Sequence, residues 1–139
     1  MFFNFIGNYF KAIWALGNIA GDSSEFRDMI LNCGGIKPLI KILQTTENKN
    51  SIKHGTWALS NLCRGKPLPD FEQVKEAIPI LASVVIKEDD PEVLTDATWA
   101  LSYLSDGSDS RIQSVIDTGC VPRLVALLKL SFVIFLNYI

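Results

Sequence analysis

A heptapeptide built around tryptophan occurs three times in this chain: AIWALGN at 12–18, GTWALSN at 55–61 and ATWALSY at 97–103. The copies align without gaps, and Trp14, Trp57 and Trp99 stand 43 and 42 residues apart. A second echo follows each copy: GGIKPLIKIL at 34–43, EAIPILASVV at 76–85 and TGCVPRLVALL at 118–128. Its prolines, Pro38, Pro79 and Pro122, trail their tryptophans by 24, 22 and 23 residues. Such self-similarity marks one supersecondary unit used repeatedly, because a lone unit of this size cannot bury its apolar face. A period of 42–43 residues suits armadillo and HEAT units, and also WD40 blades. Blades need four strands with alternating apolar residues, whereas the apolar residues here recur at helical spacing.

Local signals divide each period into three helices. Residues 11–20 read as a helix stopped by Gly21, and Ser23 or Ser24 caps a second through EFRDMILNC, ended by Gly34-Gly35. Pro38 opens a third, with Leu39, Ile40, Ile42 and Leu43 apolar. After the polar loop 45–50 the order restarts with a helix over 51–63, a loop 64–70, a short helix 71–77 and a helix 79–87. It restarts again with 91–105, opened by Pro91, then the turn 106–109 and helices over 110–118 and 121–130. Three helices per unit favour armadillo over HEAT, which uses two. The expected fold is all-α: a right-handed armadillo solenoid of about three three-helix units over residues 11–128. Residues 1–10 and 129–139 are expected to be atypical apolar ends outside the repeat, where an abrupt end of the array exposes apolar surface.

On a helical wheel the third tryptophan helix has a core stripe of Val93, Ala97, Ala100, Leu101 and Leu104. Glu92, Asp96, Trp99 and Tyr103 form a second stripe away from it. The second copy sets Asn50, His54, Trp57 and Asn61 against Leu59, Leu62 and Cys63, and the first sets Trp14 and Asn18 against Ile13, Leu16 and Ala20. Each tryptophan therefore lies on the polar face, one turn before an amide or a phenol. Packed helices stand about 8–10 Å apart. An extended peptide advancing about 3.3 Å per residue would thus meet a Trp-Asn rung at about every second or third residue. The amide suits a peptide N–H and C=O. Tryptophan faces hold the methylene stem of Lys or Arg, with a cation–π attraction of about 0.5–2 kcal/mol. Asp22, Glu92 and Asp96, on or beside this face, can neutralise ammonium groups. The residues by themselves describe a binder of extended basic peptides.

The segments AIWALGNIAGDS (12–23), GTWALSNLCRGKPLPDF (55–71) and LTDATWALSYLSDG (94–107) resemble the armadillo repeats of the importin-alpha family, the nuclear import adaptors. The likeness covers residues 11–128 and places the tryptophan helices as those of the third, fourth and fifth units. It implies a groove that binds the nuclear localisation signals of cargo. Within that groove it makes Trp14 with Asn18, and Trp57 with Asn61, signal-binding pairs. It also implies that Asp22 fixes a key lysine, that Glu92 and Asp96 are acids beside the groove, and that Trp99 with Tyr103 ends the Trp-Asn ladder. Arg64 is read as a positive boundary. The same resemblance implies residence in cytoplasm and nucleus. It makes importin-beta a partner of the full-length family, through a basic segment not found in this sequence. An armadillo scaffold of catenin type is the alternative, but such scaffolds present basic grooves to acidic ligands, whereas this face carries acids and amides. A folded but inactive fragment is the other alternative.

Other functions fit poorly. With 48% hydrophobic residues and 20% charged, the chain can build a core and is not intrinsically disordered. A net charge of −2 gives no global field to hold nucleic acid or an anionic membrane. Lys129 leaves ten residues of apolar tail, about half a membrane span. The first ten residues lack the basic start and cleavage site of a secretory signal. Cys33, Cys63 and Cys120 cannot close a disulfide framework and lack metal-ligand spacing, so no metal or other cofactor is expected. His54 is the sole histidine, and nine residues put it about 180° around a helix from Cys63, which defeats a Cys-His dyad. No phosphate-binding loop follows Gly34-Gly35. The chain is not expected to be an enzyme.

Overall fold

A computed structural model of the chain describes the backbone of residues 2–137 and the side chains of residues 9–129. Among these residues there is no strand. The helices are α1 (Phe2–Asp22), α2 (Ser24–Asn32), α3 (Ile36–Thr45), α4 (Lys49–Cys63), α5 (Phe71–Val74), α6 (Ile78–Lys87), α7 (Pro91–Leu104), α8 (Asp109–Ile116) and α9 (Val121–Asn137), with a 3-10 turn at Lys75–Ala77.

The local signals act mostly as read. Ser23 caps α2 by accepting from the Phe26 N–H, Asn48 caps α4 through Ser51, and Asp90 caps α7 through Glu92 and Val93. Pro91 is the first residue of α7. Three readings differ, the first being that α9 runs to Asn137 rather than ending near residue 130. Gly21 does not stop α1, which runs one residue further and begins at Phe2 rather than near residue 11. Pro38 does not open α3; it stands in the first turn, where a missing N–H costs nothing because the donor would be unpaired anyway.

The three tryptophan helices stand in a row, α4 packing between α1 and α7. Behind them α3 packs on α4 and α6 on α7. The expected stripes form the core: Ala58, Leu59 and Leu62 on α4, and Val93, Ala97, Ala100, Leu101 and Leu104 on α7, are all buried. On α1, Ile13 and Ala20 are buried, while Leu16 is half-buried. The connection between α4 and α5 is held from both sides. Arg27, whose side chain is fully buried, donates from Nη1 to the Arg64 carbonyl at 2.8 Å, and Arg111 donates from Nη2 to the Pro69 carbonyl at 2.9 Å. Lys66 pairs with Asp106 at 2.5 Å across the same connection. Units are thus joined by polar clamps at their loops as well as by apolar faces.

Candidate functional site

The row α1, α4 and α7 carries the residues that the sequence pattern singled out, with Arg64 just past the end of α4. Trp14 and Trp99 are each 56% exposed, far more than packing in a core would allow. Trp57 is half-buried, and the cause lies on α1: a Cβ placed on Gly17 would stand 2.2 Å from the edge of the Trp57 indole. The ring leans from α4 into the space that the missing side chain leaves. One turn on, Gly21 does the same for Asn61, whose amide would lie 3.3 Å from a Cβ there. Asn61 is buried and donates from Nδ2 to the Gly17 carbonyl at 3.1 Å. The sequence pattern treated Asn61 as a free amide on the polar face; in the structure its donor already serves α1. Asn18 and Asp22 are exposed.

The second junction is built differently. The position on α4 matching Gly17 is Ser60, whose hydroxyl donates back to the Trp57 carbonyl at 2.8 Å. Trp99 accordingly stands clear and stacks on Tyr103 of its own helix, with ring centroids 5.7 Å apart. Tyr103 is half-buried. Glu92 pairs with Lys53 of α4 at 2.6 Å, and this contact raises the Lys53 pKa. Asp96 is half-buried; burial pushes its carboxyl above the usual range, the Glu92 charge adds to this, and Lys53 opposes it. A cation from outside would relieve that carboxylate.

Asp22 ends α1, where the helix dipole is already negative, so its charge adds to the dipole rather than offsetting it. No ion pair forms on it within the described residues. Arg64 donates from Nη2 to the Gly21 carbonyl at 3.0 Å, which sets its positive charge over the last turn of α1. The pattern placed His54 on the polar stripe but gave it no role. Its ring lies 5.6 Å from that of Trp14, and its Nδ1 lies 2.7 Å from the Asn50 carbonyl oxygen. Two clusters result: Trp14, Asn18, Asp22, Trp57, Asn61 and Arg64 at the α1–α4 junction, and Glu92, Asp96, Trp99 and Tyr103 on α7.

The armadillo/beta-catenin-like repeat pattern matches residues 23–64 and 71–106, more than half of the chain. The chain belongs to the armadillo/beta-catenin-like repeat family. Its resemblance to importin-alpha holds across most of the armadillo array. It is 53% identical to importin subunit alpha-1b of Oryza sativa subsp. japonica over 118 residues, 85% of this chain and 22% of that one. It is 53% identical to importin subunit alpha-2 of Arabidopsis thaliana over 119 residues, 86% and 22% of the two chains. Against a probable importin subunit alpha-A of Dictyostelium discoideum it is 45% identical over 133 residues, 86% and 24% of the two. The chain thus spans about a fifth of the length of these curated relatives. A designed armadillo repeat protein solved in complex with the peptide (KR)4 superposes with a TM-score of 0.75 at 27% identity, over 87% of this chain and 50% of that one. An engineered protein superposes with a TM-score of 0.74 at 31% identity, over 86% and 29%.

Burial pushes the Cys63 thiol up to about 12, which keeps it protonated near neutral pH. Among the described residues no group of three or more His, Cys, Asp or Glu could hold a metal, and no helix is long and apolar enough to cross a membrane.

Proposed function

We propose that the face of α1, α4 and α7 binds extended lysine- and arginine-rich peptides of the nuclear localisation signal type, and that the chain works as part of a nuclear import adaptor. The observation that carries this reading is an exposed Asp22 with no ion pair among the described residues, two turns past Trp14 on α1, in a row of packed helices that each carry a tryptophan. A lysine ammonium at Asp22 gains a counter-charge, while Arg64 already meets the carbonyl end of α1. The methylene stem of that lysine lies between Trp14 and Trp57, and the Asn18 amide takes the peptide backbone. Asn61 contributes mainly by fixing Trp57, with its Oδ1 left as an acceptor. Glu92, Asp96, Trp99 and Tyr103 meet a second basic side chain further along. Arg64 bounds the site and keeps a cation from sliding past the end of α1.

The (KR)4 ligand of the designed relative and the names of the importin relatives support a basic partner. By the same likeness the chain acts in cytoplasm and nucleus, and importin-beta is the partner of the longer proteins. Titration with a lysine-rich peptide and with an acidic peptide of equal length tests the reading. Binding of the basic peptide alone is expected. Preference for the acidic one would transfer the chain to scaffolds of catenin type, and no binding of either would make it a folded but inactive fragment.

A further inference from the structure

The acids of α7 already hold a cation, and it comes from the chain itself. Lys53 Nζ lies 2.6 Å from a Glu92 carboxylate oxygen, with the two side chains 39% and 70% exposed. The contact follows the register of the repeat. Lys53 stands four residues before Trp57, and Glu92 and Asp96 stand seven and three before Trp99. One junction earlier, Phe10 stands four residues before Trp14 and meets His54, three before Trp57, with ring centroids 6.1 Å apart. The residue four before a tryptophan thus reaches the polar stripe of the next helix at both junctions. The second of them joins opposite charges. The matching residue of α7, Thr95, turns back instead and donates to the Pro91 carbonyl of its own helix at 2.7 Å.

Glu92 and Asp96 lie one turn apart on one face. Lys53 bonds Glu92 directly, and the charges of Asp90 and Asp96 strengthen its hold. Its own charge in turn favours the Asp96 carboxylate, against burial and the repulsion of Glu92. A basic side chain that arrives at α7 therefore meets acids that are partly neutralised, and must displace the Lys53 ammonium or share Glu92 with it. Asp22 has no such internal partner among the described residues. We propose that Lys53 is a built-in competitor for the cation that the α7 cluster binds, a specificity-determining residue that makes the second basic position of a ligand weaker than the one at Asp22. This inference rests on the basic-peptide reading of the groove. An exposed ion pair is weak enough to open when a ligand arrives, so Lys53 grades the site rather than closing it.

Calorimetric titration of the full 139-residue chain with a lysine-rich peptide tests this. Lys53→Gln keeps most of the stem and removes the charge. It should bind the peptide about two- to fivefold more tightly than the wild type, the gain expected from removing one exposed ion pair. Lys49→Gln removes the same charge one turn earlier on α4, from an exposed lysine with no ion pair among the described residues, and should leave affinity unchanged. In a protein that carries Glu92→Gln and Asp96→Asn, adding Lys53→Gln should gain nothing, since no acid is left to free. All these side chains are exposed or half-buried, so helical circular dichroism should persist throughout. Equal binding by wild type and Lys53→Gln overturns the inference and leaves the peptide groove standing. A gain that Lys49→Gln matches, or that persists without the two acids, also overturns it, because loss of any positive charge would then suffice. If neither wild type nor Lys53→Gln binds the peptide, the groove reading falls and this inference with it.

Discussion

At the scale of single residues, what could not be read in advance was the part played by side chains that are missing. The pattern WALGN, WALSN, WALSY marks Trp and Asn but does not say that Gly17 receives the neighbouring Trp57, because that contact joins residues 40 apart in sequence. Gly17→Ala raises helix propensity by up to about 1 kcal/mol, so on local grounds it should stabilise α1. It must also push the Trp57 ring off the helix and strain the Asn61 bond. We expect little net change in melting temperature, a rise in quenching of Trp57 fluorescence by acrylamide, and weaker binding of a basic peptide. Unchanged quenching would show that the ring does not rest on Gly17. Trp57→Ala should cost less than the roughly 3–5 kcal/mol typical of a fully buried tryptophan, since the ring is only half-buried. At Asp22, substitution by lysine adds repulsion where a charged hydrogen bond contributes about 1.5–3 kcal/mol. Peptide affinity should fall by an order of magnitude or more, and Asn18→Ala should cost less. An Asp22→Lys protein that binds as before would remove that residue from the site. Among the thiols Cys33 is exposed and Cys63 and Cys120 are buried. Native protein should therefore take up one equivalent of an alkylating reagent, and the other two only on unfolding.

At the scale of elements, helix identity was legible because caps and core stripes are local; the ends of α1 and α9 were not. A glycine signals a helix end when the chain must adopt a left-handed turn, as Gly34 does with a φ of 74° after α2. Gly21 stays helical and serves a contact with α4 instead, and sequence has no sign that separates the two uses. The acids of α7 were equally legible as residues, but not their states, because Lys53 arrives from α4 to take Glu92. The raised pKa of Asp96 has a direction that can be tested. Its folded value lies above its unfolded one, so its contribution to stability is present below the unfolded value and is lost as pH rises through the folded one. A basic peptide favours the carboxylate and should therefore release a proton from Asp96 at a pH above the ordinary carboxylate range. Calorimetry at that pH in two buffers of different ionisation enthalpy measures it. Asp96→Asn should abolish the difference between buffers, flatten this part of the pH dependence of stability and weaken the peptide.

At the scale of the whole molecule, the solenoid was legible from a period alone, because each unit repeats the same demands on its neighbours. The exposed apolar surface expected near the carboxy-terminal end is seen at Val121, Val125 and Leu128 of α9. From the sequence, Phe2, Phe3, Phe5, Phe132, Ile134 and Phe135 of the two apolar ends are expected to drive self-association, and they lie outside the residues whose side chains are described. Stability in such a stack is a sum of unit and junction terms, and a ligand laid across α1, α4 and α7 couples helices from three successive units. A peptide that binds only the native stack stabilises it by about 2.7 kcal/mol at a hundred times its dissociation constant. For a chain of this size each kcal/mol moves the melting temperature by about 3–5 °C. A saturating lysine-rich peptide should therefore raise the melting temperature by roughly 8–13 °C and keep the transition single. The Asp22→Lys protein should gain much less, and an acidic peptide nothing. Equal shifts from acidic and basic peptides would mean that the ligand meets something other than this face. A transition that splits in two on adding peptide would mean that only one junction is bound, and that α7 lies outside the site.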